Sequence, residues 1–430
     1  MFFTILHVFI DAFTVSSAPF QKILPLIFAK IILILIFAKC RLQKVYFFSF
    51  FALLNVLDIA FDENCRNFAC MKLHIFNPEH DTALAANKAP FTPPHAARQL
   101  HHDLGFISAV WADEGDFVVV DDKESAKESL KRIGYESLKC ILVEPQDIAK
   151  LNAEPLDEIC VWGWDKAIKR RLSDLGLVCD NIMPTAELLN QWRIYSGRAW
   201  AAENILMPLT NADSNFVGSS SVATSVDEAL NPCGLEEWVL KSPWSCSGRG
   251  VRYVTRNTIT SQLQGWVANT IKQQGYIMVE PLYTKIIDLA AEFYSDGKGR
   301  VRLLGLSLFE TKNGAYTGNI VAPEARKREV VSKYISLNIL DRAIADIVSL
   351  TSSQFDGTYK GHFGIDMMVV ADKDRGFSLH PCVELNLRRT MGYVALCLNT
   401  ADDIPTKVMR ISMDKKYRLR ITESEDDIWK

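Results

Sequence analysis

One segment near the C-terminus carries residue types suited to metal and phosphate chemistry. Residues 364–370 form an apolar stretch of strand length with a single acid, Asp366. After a polar turn, the return stretch carries Glu384, Asn386 and Arg388 at alternate positions, so all three share one face of a strand. An antiparallel hairpin would place Asp366 beside Glu384. Two carboxylates and an amide oxygen are hard ligands that suit Mg²⁺ bridging nucleotide phosphates. An exposed polar face explains Glu384 but not an acid embedded in an apolar strand.

A second motif places a lysine at the end of a strand, directly before a loop of small residues. Residues 238–241 form a short apolar strand that ends in Lys241, and residues 242–250 are rich in Ser and Gly. Small residues let backbone N–H groups approach phosphate oxygens, and the lysine ammonium offsets their charge. The loop is not a Walker loop, since no Gly-Lys-Ser/Thr opens a helix. The alternative is an exposed β-hairpin with an incidental lysine.

A third motif is the apolar strand at residues 276–280, which ends in Glu280 directly before Pro281. The proline turns the chain away from the sheet edge. A carboxylate in this position can accept hydrogen bonds from a ribose or from a donor on the adenine side. For this residue taken alone, an ordinary surface glutamate is the favoured interpretation.

In this order, the motifs resemble the ATP-grasp superfamily over about residues 185–391. Similar Glu-x-Asn-x-Arg strands occur in biotin carboxylase and in peptide-forming ligases, and no specific member is indicated. The resemblance implies a fold of α/β and α+β type: a small parallel-sheet α/β domain, then two lobes that hold ATP between them. It implies ATP and Mg²⁺ as cofactors, with Mn²⁺ as a substitute metal. The implied enzyme is a ligase that activates a carboxylate as an acyl-phosphate for attack by an amine or similar nucleophile, forming a C–N or related bond.

The resemblance also assigns residue roles. Lys241 would contact the nucleotide phosphates and Arg388 would stabilise the transferred phosphoryl group or the acyl-phosphate, so both are predicted to be catalytic. The further acid that the family carries after the adenosine-side glutamate is matched to Asp288 rather than to Glu292. The predicted metal ligands are Asp366, Glu384 and Asn386. The predicted nucleotide-binding residues are Lys241, Ser245, Ser247, Gly248, Arg249, Gly250, Glu280, Leu282 and Asp288.

Other positions bear on phosphate and acceptor binding with less specificity. Arg193 and Arg198 are both candidates for the upstream basic residue that often helps the family hold phosphate. Asn319 stands near the place where biotin carboxylases carry a lysine, which weakens any transfer of their substrate. Residues 79–81 (Glu-His-Asp) follow the first strand and either face the acceptor or belong to a solvated loop. Residues 316–319 either face the cleft or form a plain hairpin turn.

The elements that must position these residues begin at Met71. Apolar runs at residues 73–76, 117–120, 140–143 and 159–162 alternate with helical stretches, which predicts a doubly wound parallel sheet over residues 71–185. No Gly-x-Gly-x-x-Gly follows the first strand, so the dinucleotide-binding fingerprint is missing. The nucleotide-binding domain is then expected over residues 186–430, with a first lobe at about 186–275 and a second at about 276–430.

Residues 1–70 differ in composition from the rest. They hold 13 of the 23 Phe, none of the 22 Gly and only four acids. Three interpretations compete: a membrane hairpin or anchor, a cleaved signal, or translated upstream sequence before a true start at Met71. The third is favoured, and the first stays open. Residues 71–430 are accordingly expected in the cytoplasm, with a membrane contact only if residues 1–70 belong to the working protein.

Composition limits the remaining function classes. With 48 Lys+Arg against 51 Asp+Glu, the net charge of −3 supplies no global field for gripping nucleic acid, so no nucleic-acid partner is expected. The resemblance implies small-molecule partners instead, a carboxylate and a nucleophile. Ten cysteines without a CxxC pair indicate neither a zinc module nor a disulfide scaffold. The alternatives to a ligase are a small-molecule kinase of the same fold and a non-enzymatic, membrane-tethered nucleotide-binding protein. The acceptor, the nucleophile and the oligomeric state stay open.

Overall fold

The computed structural model describes residues 71–135, 137–245, 248–312, 315–398 and 406–423. Residues Met71–Lys430 form one compact unit. The predictions for residues 1–70, including a membrane hairpin, lie outside the described residues. Within the described ranges, no helix is both long enough and apolar enough to cross a membrane.

The N-terminal part is a parallel sheet with helices on its faces, as the alternating apolar runs predict. Its strand order is β3-β2-β1-β4, with every neighbouring pair parallel. Asp122 and Asp165 cap two of its helices by accepting backbone N–H bonds at the first turn. Its strands are β1 (Met71–Ile75), β2 (Phe117–Val119), β3 (Ile141–Val143) and β4 (Leu156–Val161). Its helices are α1 (His80–Ala86), α2 (His95–Leu104), α3 (Lys123–Arg132) and α4 (Lys166–Asp174), with 3₁₀ segments at Gly105–Val110 and Pro145–Ala153.

A helical connection leads to a small antiparallel sheet of order β5-β8-β6-β7. Trp238 of the central strand β6 is fully buried at the centre of this sheet's core. The connecting helices are α5 (Ala186–Tyr195), α6 (Arg198–Ala201), a π-helical turn (Ala202–Leu206) and α7 (Met207–Ala212). The sheet and its helices are β5 (Ser221–Ala223), α8 (Val226–Leu230), β6 (Glu237–Lys241), β7 (Val251–Thr255), a 3₁₀ turn (Arg256–Thr258), α9 (Ser261–Gln274) and β8 (Ile277–Pro281).

The largest element is a seven-stranded antiparallel sheet of order β13-β12-β9-β10-β11-β14-β15. The long amphipathic helix α11 buries Leu340, Ile347 and Phe355 in the main hydrophobic core on this sheet. The strands are β9 (Lys285–Asp296), β10 (Val301–Lys312), β11 (Ala315–Val321), β12 (Lys360–Asp372), β13 (Gly376–Asn386), β14 (Lys407–Asp414) and β15 (Lys416–Glu423). The helices are α10 (Glu324–Ser332), α11 (Leu337–Phe355) and α12 (Met391–Leu398).

The parallel sheet packs against the edge of the large sheet through a second core. Phe76 and Trp162, at the ends of β1 and β4, belong to the same cluster as Val394 of α12, Met409 of β14 and Leu419 of β15. The carboxyl ends of the parallel strands therefore face the large sheet, and the central cavity lies between them. The predicted fold class, a small parallel-sheet domain followed by antiparallel α+β parts, is confirmed.

Candidate active site

The predicted acid hairpin is formed by β12 and β13. The two strands are antiparallel, with Asp366 directly opposite Glu384 and Gly364 opposite Asn386. The side chain of Asn386 hydrogen-bonds Asp366. Burial raises the pKa of Asp366 to about 8, and the negative charges of Glu384 and Glu292 add to this, while Arg388 acts against it. The hairpin therefore holds carboxyl groups close together in a low-dielectric environment. The positive charge of Arg388 offsets only part of their mutual repulsion.

This donor set fits a divalent cation. Two carboxylates and one amide oxygen are the hard ligands that Mg²⁺ takes, and a cation between Asp366 and Glu384 would offset their mutual repulsion. Within the described residues, no group of three or more His, Cys, Asp or Glu side chains has metal-binding geometry. Mg²⁺ usually keeps waters and takes substrate phosphates as further ligands, so a site with few protein ligands suits it.

Arg388 follows the hairpin and is bound by the N-terminal domain. Its Nε lies 3.0 Å from Oδ1 of Asp81, and its Nη2 lies 2.9 Å from Oδ2. The same Nη2 donates to Asn386 Oδ1 at 2.8 Å. Burial opposes ionisation of Asp81, but the charge and hydrogen bonds of Arg388 outweigh it and hold the pKa of that carboxyl below its usual range. Of residues 79–81, Asp81 alone lines the central cavity; the His80 ring is bound to Asp165 at 2.9 Å.

Arg198, at the start of α6, joins the Ser/Gly loop to the acid hairpin. Its Nη1 donates to the Ser242 carbonyl at 2.5 Å and to Ser245 Oγ at 3.0 Å, and its Nη2 donates to Glu384 Oε1 at 2.7 Å. It is 7% exposed. Of the two upstream arginines that the sequence suggests, this one reaches the site. Arg193 instead lies over the Trp244 ring, 3.6 Å from its centroid.

Lys241 and Glu280 meet because β6 and β8 are neighbouring antiparallel strands. The ammonium lies 2.5 Å from Glu280 Oε2, and both side chains are only 10% exposed. Ser220 donates to the other carboxylate oxygen at 3.1 Å. The sequence motifs place each residue at a strand end, and the structure adds that they form one buried ion pair.

The loop after Lys241 closes on itself. The Ser242 N–H donates to the Gly250 carbonyl at 2.8 Å. A Cβ built on Gly250 would lie 2.3 Å from Ser245 Oγ, so glycine is required for this approach. Gly248 has a φ of +71°, which favours glycine. Ser247 lies outside the described residues.

Some of the predicted nucleotide-binding and metal-binding residues line one cavity of about 320 Å³. It is lined by residues of the acid hairpin and of the loop: Asp366, Glu384, Asn386, Arg388, Ser245, Gly248 and Arg249. Five other predicted nucleotide-binding residues are not among its lining residues: Lys241, Gly250, Glu280, Leu282 and Asp288. Leu282 is 39% exposed, and Asp288 is held by Lys285 at 2.5 Å and by the Thr311 hydroxyl at 2.7 Å.

Glu292, rather than Asp288, is the acid of β9 that opens onto this cavity. It is 2% exposed, and the Thr390 hydroxyl donates to its Oε1 at 2.6 Å. Side chains along a strand alternate, and Asp288 and Glu292 are four residues apart, so alternation puts both on one face. The sequence pattern alone could not show which of the two acids lines the cavity, because that depends on the position along the strand.

Known proteins similar to this chain are found among solved structures. No protein-family model matches the chain, and no curated protein matches it. Among solved structures, the chain is similar to N5-carboxyaminoimidazole synthetase from Staphylococcus aureus, with 13% identity, a TM-score of 0.41 and coverage of 80% of this chain and 82% of that one. It is similar to biotin carboxylase from Campylobacter jejuni, with 13% identity, a TM-score of 0.45 and coverage of 79% and 75%.

A third similar structure is an ATP-grasp superfamily protein from Archaeoglobus fulgidus, with 13% identity, a TM-score of 0.38 and coverage of 83% of this chain and 100% of that one. At identities and TM-scores this low, the likeness supports no inference about reaction or substrate, which depend on the side chains described above.

Proposed function

We propose that this protein is an ATP- and Mg²⁺-dependent ligase of the ATP-grasp type that activates a carboxylate for attack by an amine or similar nucleophile. The observation that supports this most is the cavity shared by the acid hairpin and the Ser/Gly loop. Asp366 and Glu384 lie on one side of it, Ser245 and Arg249 line it as well, and Arg198 bonds to both parts. Such an arrangement suits a nucleoside triphosphate with its metal ion.

In this reaction, a carboxylate oxygen of the substrate attacks the γ-phosphorus of ATP and ADP leaves. The nucleophile then attacks the acyl carbon of the acyl-phosphate, the C–O bond to phosphate breaks, and a proton is lost from the nucleophile. Bound Mg²⁺ would neutralise phosphate charge in the first step. The chain itself supplies positioning and fixed positive charge, which is most of what phosphoryl transfer requires.

The positions of three basic side chains support this proposal. Arg388 is held by both oxygens of Asp81, so its guanidinium is oriented before any substrate binds. Arg198 fixes the loop relative to Glu384. Lys241 is bound to Glu280 and would have to exchange part of that contact for a phosphate oxygen.

The experiment that tests this function is trapping of the acyl-phosphate. The purified full-length chain is incubated with Mg-ATP, a panel of carboxylic acids and hydroxylamine, which converts acyl-phosphates to hydroxamates. We expect hydroxamate and ADP to form together with at least one acid. Glu384→Gln should abolish both products, because it removes one of the two carboxylates of the metal site.

The same experiment separates the proposed ligase from a small-molecule kinase of the same fold. A kinase would release ADP and leave a stable phosphorylated product without any hydroxamate. The absence of both ADP and hydroxamate with every acid tested would contradict the ligase proposal.

A further inference from the structure

The central cavity also has an apolar wall that the phosphate chemistry does not use. Phe76 and Leu100 of the N-terminal domain face it from one side. Phe309 of β10, Ile411 of β14 and Tyr417 of β15 face it from the large sheet. Apolar and aromatic side chains of this kind suit a hydrocarbon or aromatic group of a ligand, which would bury its surface here.

The carboxyl group of Glu292 opens onto this same cavity through a niche made of glycines. Its cross-strand neighbours are Gly305 on β10 and Gly364 on β12. Gly392, in the first turn of α12, lies over it. A Cβ on Gly392 would be 2.2 Å from Oε1, and a Cβ on Gly364 would be 2.8 Å from Oε2. Any side chain at Gly364 or Gly392 would fill the space in front of the carboxyl group.

Within this niche, Glu292 lacks a cationic partner. The Thr390 hydroxyl is the only hydrogen-bond donor to its side chain among the described residues, and those residues include no Lys or Arg in ion-pair contact with it. Burial raises the pKa of Glu292 to about 7, while the Thr390 hydrogen bond and the charges of Arg388 and Lys327, neither in ion-pair contact, act in the opposite direction. A buried acid in this state gains from a ligand that brings a positive charge.

The surrounding charges favour a cation over an anion as that ligand. Asp366 and Glu384 line the same cavity as Glu292, as does Arg249 of the Ser/Gly loop. The charges of Arg388 and Asp81 offset each other in their bidentate ion pair. A carboxylate placed beside Glu292 would therefore face like charge, whereas an ammonium group would be attracted.

We propose that Glu292 binds the amino group of the nucleophile, and that this nucleophile is a primary amine carrying an apolar or aromatic group. The amino group would bond to Oε2, and the apolar group would lie against Phe76, Leu100 and Phe309. This inference rests on the proposed function, because it identifies the second substrate of that reaction.

The test compares three probes with the same apolar body and different head groups: phenethylamine, 2-phenylethanol and 3-phenylpropionate. Their binding to the full-length chain is measured by ligand-observed NMR without nucleotide. Stabilisation by Mg-ATP is measured separately by thermal unfolding. Both are repeated on Glu292→Gln and on Glu310→Gln, a matched change on neighbouring strand β10, where Glu310 pairs with Arg410 and does not line the cavity.

We expect phenethylamine to bind the wild-type chain better than the alcohol or the acid. Glu292→Gln should weaken that binding about tenfold or more, since a charge-assisted hydrogen bond is lost. Glu310→Gln should leave it unchanged, and both variants should keep their stabilisation by Mg-ATP. A glutamate that only supports the fold would not discriminate between the three head groups.

Three results would overturn the inference. The first is equal or no binding of the three probes to the wild-type chain. The second is amine binding that survives Glu292→Gln. The third is loss of Mg-ATP stabilisation in Glu292→Gln, which would assign Glu292 to the metal site. A wild-type chain that binds the amine through Glu292 but is not stabilised by Mg-ATP would contradict the proposed function and leave the amine site standing.

Discussion

Arg388 and Asp81, which are 307 residues apart in the sequence, form a bidentate ion pair with N–O distances of 3.0 and 2.9 Å. The pair joins the loop that follows β13 to the first helix of the parallel-sheet domain. It lines the central cavity. The N-terminal domain therefore contributes to this cavity and orients Arg388, the arginine that we propose faces the transferred phosphoryl group.

Asp81→Asn tests this orientation. The substitution removes the charge of one partner and leaves the guanidinium with fewer acceptors, so we expect the free energy of unfolding to fall by about 2 kcal/mol. Catalytic turnover should fall by a larger factor than the affinity for Mg-ATP. Denaturant unfolding and single-turnover kinetics measure the two effects. The matched control is Asp174→Asn, which breaks a surface pair with Arg170; no change in turnover is expected there. A turnover like wild type in Asp81→Asn would contradict the orientation.

Arg198→Lys tests the connection between the Ser/Gly loop and Glu384. Lysine keeps the charge but cannot bond to Ser242, Ser245 and Glu384 at once. We expect the rise in unfolding temperature on adding Mg-ATP to be smaller in Arg198→Lys than in the wild-type chain. The unfolding temperature without nucleotide should change less than this rise does. Thermal unfolding with and without Mg-ATP gives both values. Arg170→Lys, on an exposed helix face, is the control. If the two variants respond alike, Arg198 does not connect the loop to the acid hairpin in the bound state.

Gly392→Ala tests the niche around Glu292. An alanine in a helix usually stabilises relative to glycine, but here its Cβ would lie 2.2 Å from Glu292 Oε1 and 2.6 Å from Ser307 Oγ. We therefore expect a loss of about 1–3 kcal/mol in the free energy of unfolding. Gly265→Ala is the matched control in helix α9, where a new Cβ meets nothing within 4 Å. That variant should gain about 0.5–1 kcal/mol. Equal gains in both variants would show that the niche is not closed as described.

Glu79, which lies outside the proposed metal site, should make the free energy of unfolding depend on pH. Burial raises its pKa from 4.5 to about 7. Between these values the folded chain holds a proton at Glu79 that the unfolded chain has lost, so its contribution to stability decreases as pH rises from about 4.5 to 7. Glu79→Gln should flatten the decrease by up to about 1.4 kcal/mol per pH unit. Denaturant unfolding at several pH values measures this. Glu236→Gln, at an exposed position, should leave the slope unchanged; a slope that is equally steep in Glu79→Gln would refute the assignment.

The acid hairpin could be predicted because its signal is local. Asp366 and Glu384 belong to two adjacent strands joined by a short turn, and the two-residue period of a strand places Glu384 and Asn386 on one face. The same alternation predicts that Arg388 shares this face, but β13 ends at Asn386 and Arg388 lies in the loop beyond it. The parallel sheet could also be predicted from the sequence, because apolar runs of strand length alternate with helical stretches. Both inferences need only neighbouring residues and elementary strand geometry.

The contacts that assemble the cavity could not be predicted in the same way. Arg198 meets Glu384 across 186 residues, and Asp81 meets Arg388 across 307. No local pattern specifies such pairs, since they depend on how whole domains pack. Asp288 and Glu292 lie on one strand with the same side-chain period, so their different surroundings follow from neighbouring strands and from Gly392.

Thermal unfolding of the full-length chain with and without Mg-ATP tests the central claim most directly, since it asks whether a nucleotide binds. At a ligand concentration of 100 times the dissociation constant, stability should rise by about 2.7 kcal/mol, which corresponds to a shift of a few degrees. The shift should require Mg²⁺ and should be lost in Lys241→Ala and in Glu384→Gln. A folded wild-type chain that shows no shift at millimolar Mg-ATP would contradict the account.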